Sequence, residues 1–175
     1  MKSKAVILIA IFIIGITLAF LMTRDQFHSE IITVGSAVPD IELIDINQNK
    51  LNLSSLKGSV VFVNFWATWC EPCIEELPSI EILFRRLSPN PRFKLITILF
   101  KDDRQKVLRY MEENGYTFPV YENPDNSAAI KFGITGVPET FIFDKQGILR
   151  DKKIGPEQWD SPTIMEMLQS MTHEQ

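Results

Sequence analysis

Residues 60–73 read VVFVNFWATWCEPC, and a helical pattern of apolar residues follows at once through Leu87. Residues 60–66 are apolar apart from Asn64, which predicts a strand buried on both faces. Cys70 and Cys73 stand where this strand gives way to the helix. Pro72 is compatible with the first helical turn, because the first N–H groups of a helix have no intrahelical partner. The pattern therefore predicts a strand, a Cys-x-x-Cys pair and a helix in direct succession.

This placement predicts the chemistry of the two cysteines. The free N–H groups and the positive end of the helix dipole lie beside the Cys70 sulfur and favour its thiolate. Cys73, one turn into the helix, is close enough to form a disulfide and is more enclosed. We therefore expect a redox-active Cys70–Cys73 disulfide, in which reduced Cys70 attacks a partner disulfide and Cys73 resolves the mixed disulfide.

Three other roles for the cysteines are open but weaker. A structural disulfide across so short a loop would remove only about 2 kcal/mol of unfolded-chain entropy, which is little for a domain with its own core. A zinc site would need two more ligands, yet His28 and His173 lie near opposite ends of the chain without ligand spacing. Two ordinary buried cysteines are the third alternative. We expect no metal, and no cofactor beyond the disulfide itself.

At these residues the chain resembles the thioredoxin-fold proteins, and more closely the membrane-anchored TlpA/ResA/CcmG (DsbE) group of extracytoplasmic thiol-disulfide reductases. The resemblance covers residues 34–153 and rests on residues 65–73, on Glu76 and on residues 136–144, which read GVPETFIFD. It implies an α/β thioredoxin-like fold, with a central mixed sheet flanked by helices and an N-terminal β-hairpin extension. It also implies a cis peptide bond before Pro138, facing the cysteines. The residues that it implies for substrate binding are Trp69, Pro72, Val137, Pro138 and Glu139.

Glu76 is the next residue that the pattern singles out, because it shares an otherwise apolar helix face with Cys73. A carboxyl in an apolar setting has a raised pKa and can exchange a proton with a nearby thiol. We therefore predict a catalytic role for Glu76, and the resembled group carries a glutamate at this position. The alternative is a glutamate at the edge of the face that reaches water. Glu71, Glu75 and Glu81 fall on other faces and are expected to be solvated.

Two more residues near the motifs carry expectations. Ordinary thioredoxins have a buried aspartate where this chain has Asn64, and since asparagine does not titrate, Glu76 is the candidate to replace it. Glu139, beside Pro138, is expected to add negative charge and to bias which partners dock. A solvated charge at a strand edge is the alternative for Glu139. Negative charge from Glu76 and Glu139 would also disfavour the thiolate and keep the pair reducing.

The beginning of the chain predicts a membrane anchor. Lys2 and Lys4 precede a run from Ala5 to Met22 that is apolar apart from Gly15 and Thr17. At 1.5 Å per residue this run spans ~27 Å, close to the thickness of the hydrocarbon core. The cations before it predict a cytoplasmic N-terminus and an extracytoplasmic remainder. A cleaved signal peptide is the alternative, although no clean small-x-small cleavage site ends the run.

The predicted organisation is an anchor at residues 1–23, a tether at residues 24–37 and one thioredoxin-like domain at residues 38–175. About 150 residues beyond the anchor suit a single packed domain, which we expect to be a monomer. The net charge of −4 gives no basic surface for nucleic acid. The expected location is the cell membrane as a single-pass protein, with the catalytic domain on the periplasmic or extracytoplasmic side.

The resemblance implies a reductive direction. The substrate would be the Cys-x-x-Cys-His segment of an apocytochrome c during cytochrome c maturation, and the electrons would come from a transmembrane thiol-disulfide carrier. One alternative is a general reductase, an oxidase or an isomerase that is not tied to cytochrome c. A second is a tethered binding module whose disulfide is incidental. A peroxidase is less well supported, because a Cys-x-x-Cys pair at a helix cap is not the single peroxidatic cysteine of that class.

Overall fold

The computed structural model describes residues 12–18 and 31–173. Residues 12–18 are helical, and the other residues of the predicted anchor lie outside the described part of the chain. No helix within residues 12–18 and 31–173 has both the length and the apolar content that crossing a bilayer requires. A compact unit spans Ile31–Gln175.

The compact unit alternates strands and helices, as the sequence pattern predicts. Its elements in chain order are β1 (Glu42–Asp45), β2 (Lys50–Asn52), a 3₁₀ helix (Leu53–Leu56), β3 (Val60–Trp66), α1 (Glu71–Leu87), β4 (Phe93–Leu99), α2 (Arg104–Asn114), β5 (Val120–Glu122), α3 (Ser127–Phe132), β6 (Glu139–Phe143), β7 (Leu149–Ile154) and α4 (Pro162–His173).

The strands form one mixed sheet in the order β2-β1-β5-β4-β3-β6-β7. β3 pairs in parallel with β4, and β4 with β5. All other neighbours in the sheet are antiparallel. The predicted mixed sheet flanked by helices is therefore confirmed, and β1 with β2 forms the predicted N-terminal hairpin.

β3 lies inside the sheet, and all of its residues are buried. Side chains alternate between the two faces of a strand, so β3 contributes to two cores. Phe62 and Trp66 belong to the core that includes α1 and α4, whereas Val63 and Phe65 belong to the core that includes α3. By the same alternation Asn64 faces α1, which places its polar side chain opposite the helix that carries Cys73 and Glu76.

The compact unit begins earlier than the predicted domain boundary at residue 38. The Ile32 N–H donates to the Lys131 carbonyl at 3.0 Å, and the Gly35 N–H donates to the Leu149 carbonyl at 2.8 Å. Ile32 is itself buried. These hydrogen bonds and the buried Ile32 side chain join part of residues 31–37 to the domain, and the tether at residues 24–37 stays a prediction.

Candidate active site

The cysteine pair lies where β3 ends and α1 begins, as the sequence predicts. Cys70 is the N-cap residue of α1, and its sulfur accepts a hydrogen bond from the Cys73 N–H at 3.2 Å. The two residues form a disulfide, with their Cα atoms 5.3 Å apart. Cys70 is 5% exposed whereas Cys73 is completely buried. The more accessible sulfur is therefore the one that sits at the helix N-terminus, where a thiolate is stabilised.

The loop that carries Pro138 faces the same sulfur. The Cys70 sulfur lies 3.4 Å from the Val137 carbonyl oxygen, and the Val137–Pro138 bond is cis, as the resemblance implies. A groove of about 240 Å³ runs beside it, lined by Pro72, Val137, Pro138 and the end of β7 at Ile154. Ile154 is 77% exposed, which leaves an apolar side chain accessible in that groove.

Trp69 comes directly before Cys70 in the chain, and 53% of its surface is exposed. Its indole N–H donates to the Lys101 carbonyl at 3.0 Å, which fixes the ring on the loop after β4. A large, half-exposed aromatic ring held in one orientation suits contact with a partner protein. Trp69, Pro72, Val137 and Pro138 thus lie around the disulfide, and their role in substrate binding stays a prediction.

Glu76 is buried, with 2% of its surface exposed. Its Oε1 accepts a hydrogen bond from Asn64 Nδ2 at 2.8 Å. Its Oε2 accepts two, from the Trp159 indole at 2.9 Å and from the Glu157 backbone N–H at 3.1 Å. The alternative of a glutamate that reaches water is therefore wrong. The carboxylate is enclosed and held by three N–H donors.

Burial raises the pKa of the Glu76 carboxyl from 4.5 to about 7. The donors of Trp159, Asn64 and Glu157 each act to lower this pKa, and the charge of Glu157 acts to raise it. Desolvation of the charged form outweighs the three hydrogen bonds. At neutral pH the group is therefore present in both protonation states, which is the property that a proton donor and acceptor needs.

Glu139 is not the solvated strand-edge charge of the alternative, and its predicted effect on partner docking stays a prediction. It is only 3% exposed, and its Oε2 lies 2.8 Å from Lys152 Nζ. Glu139 stands opposite Ile154 on β7, and Lys152, two residues earlier on that strand, lies on the same face of the sheet and is the diagonal neighbour of Glu139. The carboxylate is thus a buried partner of a cation rather than a solvated strand-edge charge. The added negative charge expected beside the cysteines is offset by Lys152.

Glu81 is also buried, although it was expected to be solvated. Its carboxylate accepts hydrogen bonds from the Thr117 N–H at 2.7 Å, the Thr117 hydroxyl at 2.7 Å and the Phe118 N–H at 3.2 Å. Arg85, one turn later, also donates to it. Burial acts to raise the pKa of Glu81, but these hydrogen bonds outweigh burial and hold the pKa below its usual value.

Two residues of the site escape a reading of the sequence. Glu157 and Trp159 follow β7, about 80 residues after Glu76, and no spacing signal links them to it. The Trp159 ring packs edge-on against Phe62 with centroids 4.8 Å apart, and its N–H then reaches Glu76. The available signal was the need of a buried tryptophan N–H for an acceptor.

The described residues contain no group of three or more His, Cys, Asp or Glu side chains placed to hold a metal ion. The two cysteines are bonded to each other instead. Within residues 31–173 the site therefore consists of a disulfide at a helix N-terminus, a proline loop against it and a buried carboxyl behind it.

Comparison with known proteins agrees with this geometry. A profile of the AhpC/TSA family matches residues 34–152. The thiol:disulfide interchange protein DsbE of Allochromatium vinosum is 35% identical over 70% of this chain and 67% of its own length. The thiol-disulfide oxidoreductase ResA of Geobacillus kaustophilus is 29% identical over 82% of this chain and 80% of its own length.

A solved structure shares the fold. The thiol:disulfide interchange protein of Chlorobium tepidum TLS, a thioredoxin family protein, superimposes with a TM-score of 0.66 and 26% identity. The match covers 78% of this chain and 98% of that one. Fold, cysteine geometry and relatives agree, and the chain therefore belongs to the AhpC/TSA family and is a thioredoxin-like thiol-disulfide oxidoreductase of the type named DsbE and ResA.

Proposed function

We propose that this protein is a membrane-tethered reductant of protein disulfides outside the cytoplasm, and that an apocytochrome c with an oxidised Cys-x-x-Cys-His segment is its partner. The observation that carries the proposal is the position of the Cys70 sulfur, at the N-terminus of α1 and 3.4 Å from the Val137 carbonyl at the edge of an open groove. An extended partner segment in that groove would present its disulfide to the accessible sulfur.

The reaction consists of two successive thiol-disulfide exchange steps, in which electrons are conserved. The reduced Cys70 thiolate attacks one sulfur of the partner disulfide, so that a mixed disulfide forms and the other partner sulfur leaves as a thiolate. Cys73 loses its proton and attacks the Cys70 sulfur, which releases the second partner sulfur. The partner gains two electrons and the proton that Cys73 loses, its remaining thiolate takes a proton from solvent, and the Cys70–Cys73 disulfide is formed. A transmembrane thiol-disulfide carrier would then return two electrons to the pair.

We assign to Glu76 the role of accepting the proton that the Cys73 thiol loses. The two residues lie three apart in α1 and are both buried on one helix face. A carboxyl with a pKa of about 7 accepts a proton from a thiol and returns it without a large free-energy cost in either direction. Since Lys152 offsets Glu139, the reducing character rests on the Glu76 charge rather than on both carboxylates.

The membrane location is part of the same proposal. The apolar run from Ala5 to Met22, preceded by Lys2 and Lys4, supports an anchor with the domain outside the cytoplasm. A reductant in an oxidising compartment needs a supply of electrons across the membrane, and a tether would keep the domain near that supply.

Trapping of the mixed disulfide tests the partner. The Cys73→Ser variant attacks a disulfide with Cys70 but cannot release the product, so it should accumulate as a covalent complex with apocytochrome c. The Cys70→Ser variant is the matched control and should trap nothing. In a purified assay, an oxidised Cys-x-x-Cys-His peptide should be reduced faster than a peptide with alanine in place of histidine. Complexes that contain many other proteins but no apocytochrome c would indicate a general reductase instead.

The same variants separate the remaining alternatives. A binding module whose disulfide is incidental would keep its biological role in the Cys70→Ser variant. A peroxidase would consume hydrogen peroxide with Cys70 alone. A reduction potential near −120 mV, typical of a strong oxidant, would reverse the proposed direction.

A further inference from the structure

Three N–H donors from the described residues hold the Glu76 carboxylate. Oε2 receives the Trp159 indole N–H and the Glu157 backbone N–H. Neither of these groups can become an acceptor, because a backbone N–H and an indole N–H only donate. Oε1 receives the Asn64 amide at 2.8 Å. This arrangement suits the charged carboxylate.

The neutral acid needs a different arrangement. When Glu76 is protonated, the proton must lie on Oε1, since two fixed donors already occupy Oε2. Among the described residues the only group hydrogen-bonded to Oε1 is the Asn64 NH₂, which is a donor and so offers the new O–H no acceptor. Of the three partners, only the Asn64 amide can exchange its donor for an acceptor, by a half-turn about its last side-chain bond.

The surroundings of Asn64 accept either orientation. Asn64 is completely buried, and its Oδ1 has no hydrogen-bond partner in the part of the chain that the structure describes. Its Nδ2 donates both to Glu76 and to the Thr140 hydroxyl, the latter at 2.9 Å. A hydroxyl donates as well as accepts. After a half-turn, Oδ1 would accept from the Glu76 O–H and from the Thr140 O–H, and the NH₂ group would take the place of the unpartnered oxygen.

We propose that Asn64 is a positioning residue that reverses its side-chain amide when Glu76 gains a proton, and so stabilises the carboxyl in both states. The two orientations make equal numbers of hydrogen bonds and each leaves one amide end unpaired, so neither is strongly preferred on its own. The inference deepens the proton-transfer role of Glu76 and rests on that part of the proposed function.

None of the charged or titratable groups described around Glu76 takes over the role of the Asn64 amide. Glu157 and Glu75 line a cleft of about 190 Å³ with Glu76, and both are acids. Behind Trp159, β7 presents Asp151 and Lys153 to the same indole ring. From β3 and β6 the facing groups are Asn64 and Thr140, which carry no charge.

Nuclear magnetic resonance on the oxidised, full-length protein in detergent micelles tests the inference, because the disulfide keeps both cysteines from titrating. At about pH 9, with Glu76 charged, the Asn64 side-chain amide protons should give nuclear Overhauser contacts to the Thr140 methyl group. At about pH 5 these contacts should be lost, with a midpoint that follows the ¹³C shift of the Glu76 carboxyl.

A contact pattern that stays the same while the Glu76 carboxyl titrates would overturn the inference and leave the reductase function intact. A Glu76 carboxyl that does not titrate between about pH 5 and about pH 9 would overturn it as well. If apocytochrome c is not the partner, only the trapping experiment would show it, since the amide signal involves no substrate.

The Glu76→Gln variant gives a second measurement. Its side-chain NH₂ group replaces the protonated oxygen, so the Asn64 amide should stay reversed and its contacts to Thr140 should be lost at every pH. Glu75→Gln makes the same chemical change one residue away at an exposed position and should leave the wild-type pattern unchanged. Wild-type contacts in the Glu76→Gln variant would contradict the inference.

Discussion

The Glu76 carboxyl links the stability of this protein to its chemistry. Desolvation holds its pKa at about 7 although three N–H groups stabilise its charged form. The protein therefore carries a buried group whose ionisation costs free energy, beside a disulfide that must exchange protons each time it is reduced. The cost of burying that carboxyl should be measurable as a dependence of folding stability on pH.

The free energy of unfolding should fall as pH rises through the range set by Glu76. The folded-state pKa of about 7 lies above the unfolded value of 4.5, so between the two the folded protein binds more protons. The stabilising effect is complete below about pH 4.5 and is lost as pH rises through about 7, and it amounts to about 3 kcal/mol. Glu76→Gln has no proton to lose there. Urea unfolding of both oxidised proteins across this range should show wild type losing more stability than the variant, and parallel curves would contradict the assigned pKa.

Trp159→Phe should raise the pKa of Glu76 further. The substitution keeps an aromatic ring against Phe62 but removes one N–H donor from Oε2 of the carboxylate. A hydrogen bond to a charged group contributes about 1.5–3 kcal/mol, which corresponds to a rise of about one to two pH units. The ¹³C titration of the Glu76 carboxyl measures it. Trp69→Phe is the matched control, because the Trp69 indole donates to Lys101 instead, and it should leave that titration unchanged.

Individual residues show which parts of the site a sequence can predict. The placement of Cys70, Cys73 and Glu76 follows from the sequence because short spacing on one helix fixes their mutual positions, and their catalytic roles stay predictions. Glu81 and Glu139 were misjudged because their partners come from other elements: Thr117 lies on the loop before β5, and Lys152 lies on β7. Helical periodicity marks which face a residue occupies but not what covers that face.

The helix α1 performs two tasks at different positions along its length. Its N-terminus presents Cys70 to the groove, and its middle fixes the chain before β5 through Glu81. The second task explains why a carboxylate survives in a buried position, since it satisfies the backbone N–H groups of Thr117 and Phe118. The loop after α2 therefore depends on the same helix as the cysteines.

Glu81→Ala should destabilise the protein strongly, whereas Glu75→Ala should not. Loss of the Glu81 carboxylate leaves two N–H groups without an acceptor, one of them on the buried Phe118, and should cost about 3 kcal/mol. Glu75 is exposed in the same helix, so its replacement should change stability by less than about 0.5 kcal/mol. The difference between their urea midpoints measures the contribution of Glu81. Equal midpoints would show that the loop does not need the carboxylate.

The fold of the compact unit was predictable to a large extent, because the buried strand, the hairpin and the helix after the cysteines each carry a local pattern. The start of the unit was not. Residues 34–36 have no periodic pattern, and the backbone of Gly35 and Ser36 pairs with Leu149 on β7. Such pairing across more than a hundred residues leaves no local trace.

The whole chain should place its catalytic domain outside the cytoplasm if Ala5–Met22 is an uncleaved anchor. Alkaline phosphatase fused after Gln175 should be active, because that enzyme needs disulfides that form only in an oxidising compartment. Exchange of the flanking charges, with Lys2 and Lys4 changed to glutamate and lysines added after Met22, should reduce that activity severalfold. A mature protein that begins after Met22 would show cleavage instead of anchoring.

The two donors at Glu76 Oε2 also affect what a chimera between this chain and a relative would retain. Glu157 and Trp159 lie beyond the residues that match the family profile, which end at residue 152. A chimera that joins this chain to the tail of a relative at that point would keep both cysteines, Pro138 and Glu76. A backbone N–H at the position of Glu157 would come from any residue except proline, but the indole donor would be kept only if the joined tail carries a tryptophan at the position of Trp159. A chimera whose joined tail has no tryptophan there would therefore keep the same cysteine motif while its buried carboxyl holds a proton more tightly.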